Sequence, residues 1–308
     1  MILRISGLTV SIGAAQLLRG VDLELAAGRI QGLAGESGSG KTMTGLAVLG
    51  LLPAGARAGG SISYAGRELL TLPPRQRNAL RGTEIAMVFQ DPSTSLHPML
   101  SIGAQLTDHL RHHRRLDRAT ARGRAEELLS RVRIPDPAHA LRRFPHQFSG
   151  GQRQRIAIAI ALACGPKVLI ADEPTTALDV TVQAGVLHLL RELATEMGLA
   201  VLLVTHDLGV MSAVADRVAV MRGGEIVEDG DRAQVFTAPA HPYTASLLAS
   251  LPGAAHGVRS LEDVRALRAA SMAESAAESA AELVGEPAGE PVSAPPGGPL
   301  STPPREAP

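Results

Sequence analysis

GESGSGKT, residues 35–42, is the stretch on which the reading of the fold turns. It follows the apolar run RIQGLA (29–34) and opens the apolar stretch TMTGLAVLGLL (42–52), so strand, glycine loop and helix succeed one another. In the pattern G-x-x-x-x-G-K-[ST], Gly35, Gly38 and Gly40 let backbone N–H groups turn inward toward phosphate oxygens, helped by the positive end of the following helix. Glu36, Ser37 and Ser39 fill the loop, Lys41 supplies a compact cation and Thr42 a hydroxyl suited to Mg²⁺. Lysine occurs at only one other position, Lys167, in a chain whose basic residues are otherwise arginine.

Three further apolar runs end in polar groups. KVLIADEP (167–174) reads as a buried strand that places Asp172 to hold a metal and Glu173 next to it as a general base toward water. VLLVTHD (201–207) ends in His206, and VFQDP (88–92) ends in Gln90, which can reach Mg²⁺ or the attacking water. At the carboxyl edge of a parallel sheet all three ends face one ligand crevice. The runs LRISGLTVSI, VDLEL and SISYAG predict an antiparallel patch beside that sheet, and MRGGEIVEDG (221–230) predicts a hairpin turning at Gly223 and Gly224. Between residues 91 and 158 the strand signal vanishes, and arginine-rich stretches such as RATARGRAEELLSRV show helical spacing, which predicts an inserted helical subdomain. The fold class expected is α/β, a P-loop NTPase (RecA-like) parallel sheet core with an antiparallel β subdomain and that insertion.

A second glycine-rich turn, FSGGQRQR (148–155), precedes the apolar helix IAIAIALAC. Ser149 is a good N-cap, and Gly150, Gly151 and Gln152 follow it, so this is another helix start shaped for an anion. One nucleotide does not need two cradles from one chain. The economical geometry is two chains head to tail, each capping the phosphate held in the other's loop.

Composition sets the outer bounds. The formal net charge of the 308 residues is +0, so no global basic field draws the chain to nucleic acid, and no nucleic-acid partner is expected. The single cysteine, Cys164, excludes an intrachain disulfide and a four-cysteine metal site, and reads as a small buried apolar residue. No signal peptide and no membrane span are expected. His109, His112 and His113 share helical spacing, but the flanking arginines repel cations, and a solvated helix face is the preferred reading. Residues 253–308, rich in Ala, Glu, Gly and Pro, read as a largely disordered tail, with a helix possible near 260–284.

Over about residues 1–250 these motifs, in this order, resemble the ATP-binding cassette subunits of ABC transporters: the Walker A loop at 35–42, Q-loop Gln90, the FSGGQ signature, Walker B through Asp172, Glu173, the D-loop ALD (177–179) and His206. FQDPSTSLHPMLSIGAQL, TTALDVT and HPYT (241–244, in a C-terminal segment of about 236–252) resemble the peptide/nickel branch of importer ATPases. The resemblance implies ATP and Mg²⁺ as cofactors, catalytic roles for Glu173, His206 and Gln90, and a Mg²⁺ set of Thr42, Gln90 and Asp172. It implies a nucleotide-sandwich dimer in which Ser149, Gly150, Gly151 and Gln152 act in trans. A heterodimer with a second ATP-binding subunit is expected, with two transmembrane permease subunits, an extracytoplasmic solute-binding protein and a peripheral place on the cytoplasmic face of the membrane. Peptide is the first cargo and nickel the second; a soluble non-transport ABC ATPase is the rival class. Two departures stand out: TVSIGAAQLL offers only Ile12 where such proteins carry an adenine-stacking aromatic, so no stacking residue is assigned, and no cysteines follow HPYT, so no iron–sulfur cluster is expected.

Overall fold

The computed structural model describes residues 1–176 and 178–250. The predicted tail, its possible helix and residue 177 of the ALD stretch lie outside the described residues. The first half of the chain runs β1 (Leu3–Ile12), β2 (Ala15–Leu25), β3 (Ile30–Ala34), α1 (Lys41–Leu49), β4 (Ala56–Tyr64), β5 (Arg67–Glu68), α2 (Pro74–Leu80) and β6 (Ile85–Val88). Helices α3 (Pro92–Ser95), α4 (Ile102–Arg114), α5 (Arg118–Arg131), α6 (Pro137–Ala140) and α7 (Gly150–Leu162) follow. The remainder is β7 (Val168–Asp172), α8 (Val180–Met197), β8 (Ala200–Val204), α9 (Leu208–Val214), β9 (Arg217–Arg222), β10 (Glu225–Asp231), α10 (Arg232–Thr237) and α11 (Pro242–Ala249).

Two sheets result. One is antiparallel with order β2-β1-β4-β5; the other has order β10-β9-β3-β8-β7-β6 and is parallel except for β10, which pairs antiparallel with β9. The central strands β3, β7 and β8 are buried throughout and largely apolar because both faces are covered. Alternation sorts their side chains: Leu169, Ala171, Val201 and Leu203 join the core shared with α4, α5, α7 and α8, while Val168, Ile170, Leu202 and Val204 join the core shared with α1 and the antiparallel sheet.

Register brings the strand ends level. Val88 lies opposite Ala171, Asp172 opposite Val204, and Leu33 opposite Val204. The residues just beyond those positions, the glycine loop, Gln90, Glu173 and His206, therefore emerge along one edge. At the opposite edge Asp216 accepts hydrogen bonds from the Ile30 N–H at 2.7 Å and Arg191 Nη1 at 2.8 Å, tying β3, α8 and the approach to β9 together.

Within the inserted helices, buried Gln105 is fully engaged: its amide donates to the carbonyls of His97 (3.1 Å) and Leu100 (3.0 Å), and its oxygen accepts from the His97 N–H (2.9 Å). This pins the irregular stretch after β6. The arginines of α5 pair along its surface, Arg122 with Glu126 and Arg124 and Arg131 with Glu127. His109 and His113 stack with centroids 6.2 Å apart and His112 meets His113 edge-on at 4.7 Å. Among the described residues no group of three or more His, Cys, Asp or Glu is arranged to hold a metal ion. Cys164 is buried, and burial raises its thiol pKa. No helix among the described residues is long and apolar enough to cross a membrane.

Candidate active site at the sheet edge

The loop between β3 and α1 is held in a shape that only glycine tolerates. Gly35 has φ +149° and Gly40 φ +110°. A Cβ on Gly35 would collide with the Met221 carbonyl, and one on Gly40 would press on Leu18 at 2.6 Å, so the loop is enclosed by β2 and β9. Lys41 is buried, and its ammonium donates to the carbonyls of Gly35 and Glu36, both at 2.8 Å. Burial lowers its pKa, while Glu173, Asp172 and Glu36 oppose that shift. Ser39 Oγ is buried without a partner. Glu36, Ser37 and Gly38 are exposed at the loop's crest. A turned-in cation, an orphaned hydroxyl and an uncapped helix start suit the phosphates of a nucleotide.

Thr42 Oγ1 donates to Asp172 Oδ1 at 3.1 Å. Asp172 is buried at the end of β7; burial, and then the Glu173 charge, raise its pKa despite Thr42 and Lys41. A hydroxyl and a desolvated carboxylate with a second carboxylate alongside form a hard-oxygen set short of positive charge, which fits Mg²⁺.

Glu173 is the hub. Its backbone adopts φ +45°, a left-handed conformation rare for a side-chain-bearing residue, with its N–H donating to the Val204 carbonyl at 2.8 Å. Oε2 accepts from Gln90 Nε2 at 2.9 Å and Thr176 Oγ1 at 3.0 Å, and Oε1 lies 2.8 Å from His206 Nδ1. Burial pushes its pKa up, but the bonds from His206 and Thr176, with the His206 and Lys41 charges, outweigh it and hold the carboxyl below its usual value. The group is thus an acceptor at neutral pH.

The structure brings Gln90, Asp172, Glu173, His206, Lys41 and Thr42 to one crevice. In this state Gln90 engages Glu173 and not the Thr42–Asp172 pair. Thr176 was not among the expected residues; its only sequence signal is a hydroxyl three positions after Glu173, within reach once the chain turns tightly. The signature turn is built separately. Ser149 Oγ accepts from the Gln152 N–H at 3.3 Å, and the Gln152 side chain accepts from the Ser149 N–H at 3.1 Å, a closed capping box. Neither Gly150 nor Gly151 needs a left-handed backbone. Gly151 is required by packing instead, since a Cβ there would overlap Val182 at the start of α8.

The match to known proteins follows the same residues. Residues 18–176 match the family model described as ABC transporter. The oligopeptide transport ATP-binding protein OppD of Bacillus subtilis is 48% identical over 242 residues, 78% of this chain and 68% of that protein. OppD of Salmonella typhimurium is 46% identical over 240 residues, 78% of this chain and 72% of the relative. Among solved structures, the dimeric post-hydrolysis state of the ATP-binding cassette MJ0796 bound to ADP and Pi superposes with a TM-score of 0.65 at 28% identity, covering 75% of this chain and 99% of that one. CbiO1 from Clostridium perfringens, part of the ABC transporter complex cbiONQ, gives 0.69 at 28% identity, covering 83% and 97%. The chain belongs to the ABC transporter family, as an ATP-binding, ATP-hydrolysing subunit.

Proposed function

We propose that this chain energises the import of short peptides, hydrolysing ATP at the site centred on Glu173, and that it works from the cytoplasmic face of the membrane against two permease subunits. The observation that carries the catalytic half is the placement of Glu173, an ionised carboxylate held by Gln90, Thr176 and His206 beside the glycine loop. Peptide as cargo is supported by relatives named for oligopeptide and dipeptide transport at 48% and 47% identity.

In this mechanism the loop formed by Gly35, Glu36, Ser37, Gly38, Ser39 and Gly40 would hold the phosphates of ATP. Lys41 exchanges its two carbonyl acceptors for phosphate oxygens. Thr42 and Asp172, with Gln90 once it leaves Glu173, would hold Mg²⁺, which neutralises charge on the β- and γ-phosphates when bound. Glu173 accepts the proton of the attacking water, and His206 orients that carboxylate and senses the loss of the γ-phosphate. Ser149, Gly150, Gly151 and Gln152 present the α7 N-terminus to the ATP of a second ATP-binding subunit, which is non-identical in the heterodimer we favour. An extracytoplasmic binding protein delivers the cargo.

Coupling to the permeases would run through Gln90. Beside it lies an apolar cleft of about 430 Å³ between β6, α7 and the end of α1, with Phe89 and Leu51 exposed at its rim.

Uptake of a labelled dipeptide and of nickel-63, in cells with the native gene and in cells carrying Glu173→Gln, tests this reading. Loss of a general base lowers turnover roughly 10²–10⁴-fold, so dipeptide uptake should collapse while nickel uptake persists. Loss of nickel uptake alone would reassign the cargo, and loss of neither would remove the importer reading.

A further inference from the structure

Two threonines in a row, Thr175 and Thr176, follow Glu173 and Pro174, and their side chains go to different partners. Thr175 is buried, and its hydroxyl accepts from Gln183 Nε2 at 3.2 Å, which pins the turn after β7 to α8. Thr176 is exposed, and its hydroxyl donates to Glu173 Oε2 at 3.0 Å. The backbone closes the same turn: the Thr176 N–H donates to the Glu173 carbonyl at 3.2 Å, while Glu173 stands at φ +45° with its own N–H on the Val204 carbonyl. Thr176 is therefore held beside the Glu173 carboxylate by its main chain and by a neighbour anchored on α8.

A donor on a closed turn is fixed in a way that one brought in from a separate strand is not. Gln90, the other donor to Oε2 at 2.9 Å, comes from beyond the end of β6, 83 positions away, and is the group that would turn to Mg²⁺. His206, from beyond the end of β8, lies 2.8 Å from Oε1. With Gln90 on the metal, Thr176 and His206 are left, one at each carboxylate oxygen. The terminal torsion of a glutamate is broad and roughly two-fold, so a contact at Oε1 alone leaves the carboxylate plane free to swing. A partner at each oxygen fixes it. A carboxylate offers about four acceptor positions, so these two contacts still leave room for the proton of an attacking water.

We propose that Thr176 is a positioning residue for ATP hydrolysis: its hydroxyl holds Glu173 Oε2 while His206 holds Oε1, so the base keeps one orientation when Gln90 leaves it. The inference rests on reading Glu173 as the general base and assigns that base's orientation to a residue outside the polar strand ends. Thr175, adjacent and identical, has no such role, because its hydroxyl is engaged with Gln183 inside the turn.

The test is steady-state ATP hydrolysis by the assembled transporter carrying Thr176→Val, Thr176→Ser, Glu173→Gln, or Thr176→Val together with Glu173→Gln. ATP affinity and the thermal midpoint of the full-length chain are recorded in parallel. Thr176→Val keeps the shape of the side chain and removes the hydroxyl. It should lower kcat roughly tenfold to a hundredfold, the scale for misplacing a reacting group by up to an ångström, with KM, ATP affinity and midpoint unchanged. Thr176→Ser returns the hydroxyl and should restore kcat. Added to Glu173→Gln, Thr176→Val should cost nothing further, because the group it positions is no longer a base. An undiminished kcat in Thr176→Val, a Thr176→Ser as slow as Thr176→Val, or a further loss in the double variant would overturn the proposal. A midpoint that falls together with kcat would also overturn it and leave Thr176 a structural residue of the turn. Undiminished hydrolysis by Glu173→Gln would instead sink the general-base reading itself.

Discussion

Helices α1 and α7 both begin at glycine-rich turns, and their first turns are built in opposite ways. At α1 the N-cap is Gly40, no side chain caps the exposed N–H groups, and the loop before it buries a lysine and an orphaned serine hydroxyl. At α7 Ser149 and Gln152 cap each other, and Ser149 remains exposed. A helix start left uncapped inside its own chain is preorganised for a ligand. One that satisfies itself and faces outward can complete a site only when another surface carries the ligand to it.

Predictions that would break this contrast follow in order of size. Lys41→Ala removes the charge that the α1 loop encloses, and hydrolysis, as kcat/KM for ATP, should fall roughly 10²–10³-fold, the cost of losing a preorganised phosphate-stabilising group. Calorimetric titration should show weakened ATP binding by the isolated chain, and unchanged affinity would mean that α1 is no more a ligand site than α7. Gly151→Ala acts on the other helix through packing. Its new methyl overlaps Val182, so denaturant unfolding should show a loss of about 1–3 kcal/mol. Adding Val182→Ala should restore stability; if it does not, the close approach of α7 and α8 is not what requires glycine. Smallest is Ser149→Ala, which removes the cap and should cost about 1 kcal/mol of stability while leaving ATP affinity of the isolated chain unchanged. A drop in that affinity would show that α7 serves the chain's own nucleotide and would end the distinction between the two turns.

Much of the parallel sheet was readable because three of its strands, β6, β7 and β8, are apolar runs that stop at or just before a polar residue of the crevice. VLIAD, AVLLV and IAMV are too apolar for a one-sided sheet, and their ends at Asp172, His206 and Gln90 fall level once parallel pairing is assumed. The long pairing of β1 with β2 was less visible: VDLEL marks only the second half of a strand that begins at Ala15. Its first half, AQLLRG, lacks alternation because register shifts interrupt the ladder and change which side chains face inward. The glycines of the signature show another limit. Flexibility at a helix start and room for Val182 predict the same residue, and only the packed neighbour separates them.

Contacts between distant segments lay beyond any local pattern. Gln90 meets Glu173 across 83 positions and the Gly224 N–H reaches the Ser39 carbonyl across a longer span, each through strand order and hairpin placement and not through spacing. What the sequence determined by itself was chemistry with local causes: a glycine loop that can turn its N–H groups inward, apolar strands with acids, an amide and an imidazole at their ends, and a serine that caps its own helix. Tertiary structure alone decided which of those groups share a partner. The arrangement observed at the site, with Lys41 on its own loop's carbonyls and Glu173 shared among three donors, depends on sheet register and burial, because hydrogen bonds such as those on Glu173 exist only after strands far apart in the chain are packed side by side.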